Sequence, residues 1–353
     1  MSDAFRELLK KVGSGTHTGK DLSRAEAAAA MRMMLLQEAT PAQIGAFLMA
    51  HRIKRPTAEE LAGMLDAYEQ LGPKLQPSRR FEHSVTVFGI PYDGRSRTAP
   101  VTPITALILA TAGVPVIMHG GDRMPTKYGV PLIEIWQGLG VDFSSLSLAQ
   151  AQQLLEQAGL GFVYLPQHFS LAHHLVPYRE QIGKRPPIAT LELIWSPYGR
   201  DAHATAGFVH PPTENYFQET FALRGRSYFT AVKGLEGSCD LARNRTAIIG
   251  LAQSDSDSGW ERLHLHPREY GFDGEDVPLE SKARLIEQIQ EVLQGKPGEL
   301  MPAAIWNGGF YLWRCGVCPD LPTGLAQAEA LLTQGKVAEK LREISQAFVV
   351  AGC

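Results

Sequence analysis

Two periodicities divide the chain. Up to about residue 75 the apolar positions recur at helical spacing, and three segments carry a helix-start signal: Ser23 with Glu26, Thr40 with Gln43, and Thr57 with Glu60. Met31, Met34, Leu35, Leu36, Ile44, Phe47, Leu48 and Met49 supply apolar faces, which serve a core or a contact with a second copy more readily than a ligand. From about Glu82 the pattern changes to short apolar runs, Ser84–Phe88, Val114–Met118, Gly161–Leu165, Tyr228–Val232 and Thr246–Ile249, separated by helical stretches such as Pro103–Ala112. This alternation predicts an α/β fold: a small all-helical lobe, then a larger lobe with a mostly parallel central sheet covered by helices. The expected division is residues 1–75 for the helical lobe, with 168–188 returning to it, and residues 76–167 with 189–353 for the α/β lobe.

Parallel sheets hold ligands at the carboxyl ends of their strands. Two glycine-containing turns fall there: Gly89-Ile90-Pro91-Tyr92-Asp93-Gly94, and His119-Gly120-Gly121-Asp122-Arg123-Met124-Pro125-Thr126-Lys127-Tyr128-Gly129. The order strand, glycine turn, helix presents backbone N–H groups to an anion, so Gly89, Gly94 and Gly120 are candidate phosphate contacts. A tight bend is the competing reading for each glycine. His119 orients a ligand or satisfies backbone groups, Arg123 and Lys127 pair with phosphate or are solvated charges, and Arg179 clamps an anion or closes a salt bridge between the lobes. Asp93 either faces a metal-bound phosphate or stabilises its own turn.

Composition narrows the function classes. At 353 residues and 44% hydrophobic the chain buries a substantial core, and a formal net charge of −3 gives no general attraction for nucleic acid, so polyanion binding requires a local patch. No apolar run spans a membrane and none follows a basic N-terminus, so a cytoplasmic protein is expected. Four cysteines include Cys315-Gly316-Val317-Cys318, which lacks a second pair and reads as free thiols rather than a zinc half-site. His173-His174 and His264-Leu265-His266 have no companion acids at ligand spacing and are read as structural. Ser254–Gly259 is a polar loop and the best candidate for local mobility.

Both turns resemble the phosphoribosyl-diphosphate loops of the anthranilate phosphoribosyltransferase family, which read Gly-Thr-Gly-Gly-Asp-Gly and Lys-His-Gly-Asn-Arg-Ser-Val-Ser-Ser-Lys-Ser-Gly. The segments Glu38–Lys54 and Glu59–Gly63 are similar to the family's helical dimerisation region, Val176–Gly183 to the segment giving an arginine to the anthranilate pocket, and Val232–Asp240 to its Gly-x-Asp-Gly-x-Asp-Glu metal motif. The resemblance implies a homodimer joined through the helical lobe, a phosphoribosyl-diphosphate ligand, and Mg²⁺ held by Glu236 and Asp240, with the Thr102 hydroxyl standing in for a metal-facing serine.

The departures bear on function. Two loop glycines are replaced, Pro91 has no N–H to give, and Tyr92 adds bulk where a diphosphate approaches the backbone. Cys239, a neutral thiol, stands at an acidic metal position, and Ala189–Pro197 replaces the family's anthranilate-positioning segment. The departures resemble those of a divergent bacterial group outside the tryptophan pathway, one branch of which is associated with nucleic-acid binding. Three functions compete: phosphoribosyl transfer to anthranilate or another nitrogen acceptor; non-catalytic binding of single-stranded nucleic acid by Arg95, Arg97, Arg123, Lys127, Lys184, Arg185 and Lys233; and binding of a small phosphorylated metabolite or a protein.

Overall fold

A computed structural model describes residues 3–15, 17–252 and 259–352. Of the polar loop Ser254–Gly259 expected to be mobile, residues 254–258 lie outside them. Four helices open the chain: α1 (Asp3–Gly13), α2 (Arg24–Leu35), α3 (Pro41–Lys54) and α4 (Ala58–Leu71). The predicted starts of α2, α3 and α4 are all full capping boxes, each hydroxyl accepting from the third helical N–H while the Glu or Gln side chain returns to the cap. Met31, Met34, Leu35, Ile44, Phe47 and Leu48 are buried in this lobe.

One buried acid ties the lobe together. Glu60 accepts from the Leu22 N–H at 2.9 Å and from Lys54 Nζ at 2.8 Å, with His51 Nε2 at 3.3 Å. Burial opposes its charge, but the His51 contact, the Leu22 N–H and the Lys54 ammonium outweigh burial and bring its pKa down to about 2. A depressed acid stabilises the fold above its unfolded pKa, and that contribution disappears as pH falls through the folded value. The lobe is therefore expected to lose on the order of 3 kcal/mol between about pH 4.5 and about pH 2. Acid denaturation followed by circular dichroism should show a flattened dependence in Glu60→Gln.

The α/β lobe carries seven strands, β1 (Thr86–Gly89), β2 (Val116–Gly120), β3 (Leu160–Tyr164), β4 (His203–Gly207), β5 (Phe229–Val232), β6 (Ala247–Ala252) and β7 (Glu261–Leu265), in the order β3-β2-β1-β4-β5-β6-β7. The first five are parallel in that order, and β6 and β7 are antiparallel additions at one edge. Helix α5 (Thr102–Thr111) follows β1 and is buried from Thr102 to Ala110, so it is apolar all round, as a helix enclosed on every side must be. The carboxyl ends of β1, β2, β4 and β5 share one end of the sheet, where Gly89, Gly120, Gly207 and Lys233 lie. The helix Val176–Ile182 lies against α3, with Ile182 packed near Gly45. The Tyr178 hydroxyl donates to Gln37 Oε1 at 3.0 Å and Arg52 Nη1 to the Arg185 carbonyl at 2.5 Å, each bond joining one of the two helices to a residue just outside the other. No helix among the described residues is long and apolar enough to cross a membrane.

Candidate functional site

The two glycine turns meet each other. Gly94 has φ +74°, and a Cβ there would fall 2.5 Å from the carbonyl carbon of Gly129. This backbone contact lets Arg95 N–H donate to the Val130 carbonyl at 3.1 Å, Val130 N–H to Arg95 at 2.7 Å, and Gly129 N–H to Asp93 at 2.9 Å. Donors that a phosphate loop offers to a ligand are thus spent between the loops. Gly89 is equally closed, since a Cβ on it would meet the Leu193 carbonyl oxygen at 1.8 Å.

Tyr92 fills the space between the turns. It is 3% exposed, its hydroxyl hydrogen-bonds His119 Nδ1, and His119 packs edge-on against Trp195 with ring centres 5.0 Å apart. Burial brings His119 down to about 3, so its imidazole is neutral at neutral pH. The remaining space, bounded by Pro91, Tyr92, His119 and Gly121, is about 10 Å³. That is room for about one water and far too little for a diphosphate.

The expected metal ligands converge on an arginine. Arg95, 3% exposed, donates from Nε to Glu236 Oε1 at 3.2 Å, and from Nη1 to Asp240 Oδ2 at 2.9 Å and Ser238 Oγ at 2.7 Å. Glu236 Oε1 also accepts from the Arg97 N–H at 3.0 Å and the Thr98 N–H at 2.9 Å, while Oε2 accepts from the Ser96 N–H at 3.2 Å and from Lys127 Nζ. A left-handed backbone at Glu236, φ 54°, turns its carboxylate into the 95–98 segment. Asp240 accepts from the Val101 N–H at 3.1 Å and from the Thr102 hydroxyl at 2.7 Å. These residues do not fit Mg²⁺: both carboxylates are occupied by N–H and O–H donors, and a permanent cation sits between them. Among the described residues no group of three or more His, Cys, Asp and Glu side chains gathers as metal donors. Cys239 donates to the Gly89 carbonyl at 3.2 Å, and burial pushes its thiol up to about 12.

Other expected contacts are committed elsewhere. Arg179 is buried in a two-pronged pair with Glu192, with Nη1 to Oε2 at 3.2 Å, which is the salt-bridge alternative rather than an open clamp. Asp93 is buried against Arg185 Nη2 at 3.1 Å, and Arg123 grips Glu134 at 2.6 and 3.0 Å. Arg95, proposed for a nucleic-acid surface, is inside the protein and cannot touch a strand. Arg97 is 78% exposed, Lys184 is exposed, Arg185 and Lys127 are partly so, and Lys233 is half-buried at the end of β5. Cys315 and Cys318 are free thiols.

Beside the closed loops lies an open cleft of about 380 Å³. It is lined by Arg52 at the end of α3, by Arg185 and Pro187, by Val209 and His210 after β4, and by Glu236. Sequence reasoning singled out neither Arg52 nor Val209 and His210 for this role: Arg52 stands in the segment likened to the dimerisation region, and Val209 and His210 belong to no motif. Asp93, Glu236 and Asp240 are matched against Arg95, Arg97, Lys127 and Arg185, so this cluster carries one surplus positive charge before Arg52 is counted.

Residues 6–72 match the model of the glycosyl transferase family, helical bundle domain, and residues 93–338 that of the glycosyl transferase family, a/b domain. A helical bundle beside an α/β lobe with its cleft at the strand ends thus defines a glycosyl transferase architecture. Relatives include the anthranilate phosphoribosyltransferases of Afipia carboxidovorans, 30% identical over 98% of both chains, and Chromobacterium violaceum, 27% identical over 92% of this chain and 94% of that one. The Thermus thermophilus anthranilate phosphoribosyltransferase superposes with a TM-score of 0.79 at 21% identity, covering 99% of this chain and 100% of that one. The Saccharomyces cerevisiae enzyme in complex with PRPP and Mg superposes with a TM-score of 0.82 at 16% identity, covering 99% of both chains. The chain belongs to the anthranilate phosphoribosyltransferase family.

Proposed function

We propose that this family member binds single-stranded nucleic acid in the open cleft, without phosphoribosyl transfer, and that it works as a homodimer joined through the helical lobe. The observation that carries this reading is the inverted electrostatics of the cleft. The one carboxylate lining it, Glu236, is already neutralised by Arg95 and Lys127, while Arg52 and Arg185 line the cleft and Arg97, outside the lining and 3.7 Å from Glu236, has its side chain 78% exposed. Phosphates of a flexible strand suit spaced, exposed guanidinium groups. Tyr128, beside Lys127 and 47% exposed, supplies an aromatic face on which a base can stack. A cytoplasmic location agrees with such a ligand.

The competing reading is transfer of a phosphoribosyl group from phosphoribosyl diphosphate to a nitrogen acceptor with Mg²⁺. It draws support from the named relatives and from the retained Gly120 and Lys127. Against it stand the Tyr92 ring between the loops and the Arg95 guanidinium between Glu236 and Asp240.

Calorimetric titration separates the two. A labelled oligothymidylate is expected to bind, with log affinity falling against log salt by about 0.7 per phosphate contacted, while phosphoribosyl diphosphate with Mg²⁺ gives no saturable heat. Mg²⁺-dependent binding of phosphoribosyl diphosphate without oligonucleotide binding would reverse the assignment.

A further inference from the structure

The oxygen atoms around Arg95 form a cage with the chemistry of a hard-cation site. Glu236 and Asp240 bring four carboxylate oxygens, and Ser238, Thr102 and Thr98 bring hydroxyls; Arg95, Glu236, Asp240, Ser238 and Thr102 are all buried or nearly so. Oxygen-rich sets of this kind suit Mg²⁺ or Mn²⁺ when the centre is empty. Here the centre is not empty. The guanidinium contacts Glu236, Asp240, Ser238 and Thr98 together, and the strand of chain that carries it also gives Glu236 the N–H groups of Ser96, Arg97 and Thr98.

We propose that Arg95 is a resident side-chain cation that replaces a divalent metal: it occupies the oxygen cage, fastens the first loop to the 236–240 turn, and makes the cleft independent of metal. This cation is part of the chain and cannot be removed by a chelator. It also repels a second cation and consumes the lone pairs a metal needs. The inference does not depend on what binds in the cleft, since it concerns the loop and the turn behind it.

The test uses the full chain and Mn²⁺ alone as the probe, followed by electron paramagnetic resonance and calorimetry. In the wild type, Mn²⁺ should remain free and neither Mg²⁺ nor a chelator should shift Tm. Arg95→Ala should be less stable without metal and should bind about one Mn²⁺ per chain, with Tm rising on the order of 5 °C at a hundredfold excess over Kd. Adding Asp240→Asn to that variant should abolish the gain. A folded Arg95→Ala that ignores Mn²⁺ would overturn the proposal, and so would saturable Mn²⁺ binding by the wild type that Glu236→Gln removes. Should Arg95→Ala fail to fold without metal, recovery on refolding with Mn²⁺ supports the proposal; should it fail in both buffers, the wild-type titration decides.

Discussion

Glu236→Ala is expected to destabilise the protein by about 3–5 kcal/mol, the usual cost of removing one partner from a buried ion pair. The carboxylate is 3% exposed and answers Arg95, Lys127 and the backbone N–H groups of Ser96, Arg97 and Thr98. Without it Arg95 keeps Asp240 but loses half of its compensation, and three N–H groups of the first loop lose their acceptor. Urea denaturation should show a lower midpoint with little change in slope, since the surface exposed on unfolding is nearly the same. Glu236→Gln should cost less, because the amide oxygen still accepts from the backbone. A drop below about 1 kcal/mol for the alanine variant would mean that the latch contributes little.

The same residue gives the wild type an acid limit. Burial opposes ionisation of Glu236, but the Lys127 hydrogen bond, the Thr98 and Arg97 N–H groups and the charge of Arg95 overcome it and hold the carboxyl well below the ordinary range. Its folded pKa is depressed, so its contribution is complete above the unfolded value of about 4.3 and is lost as pH falls towards the folded one. Glu60 behaves alike in the helical lobe, and both lobes are therefore expected to weaken over the same acidic range.

Much of this fold was legible because local rules decided it. The three capping boxes of α2, α3 and α4 sit where hydroxyl and acid spacing placed them, and the apolar runs at β1, β2, β3, β5 and β6 fall within a few residues of their expected bounds. Two strands were missed. β4, His203-Ala204-Thr205-Ala206-Gly207, is central yet carries small residues, so no β-branched run marks it; β7 is a mostly exposed edge strand of polar residues. At the site, the bulk of Tyr92 and the missing N–H of Pro91 were readable, whereas the partners were not. That Tyr92 meets His119, that Arg179 meets Glu192 and that Arg95 turns inwards to residues far along the chain are outcomes of packing between distant segments. Arg95 shows the limit most clearly. A run with Arg95 and Arg97 reads as a basic surface, but one arginine is 3% exposed and the other has its side chain 78% exposed, a difference no local pattern encodes.

That difference sets the sharpest test of the cleft. Arg52→Ala and Arg97→Ala are each expected to weaken oligonucleotide binding by roughly 1 kcal/mol, about fivefold, at low salt. Each should also reduce the slope of log affinity against log salt by about 0.7, the signature of one lost phosphate contact on a single strand. Arg52→Ala gives up the hydrogen bond to the Arg185 carbonyl and Arg97→Ala a 3.7 Å approach to Glu236, which keeps Arg95, Lys127 and three N–H donors, so each change should cost no more than about 1 kcal/mol of stability. Arg123→Ala is the control: its guanidinium is already held by Glu134 through two hydrogen bonds, so affinity and salt slope should be unchanged. Equal loss in all three variants would indicate a diffuse surface attraction, and loss in Arg123→Ala alone would move the strand away from the cleft. A selective loss in Arg52→Ala and Arg97→Ala would run phosphates from the cleft lining at the end of α3 to the exposed Arg97 beside Glu236, so that the bound strand rests against both arginines.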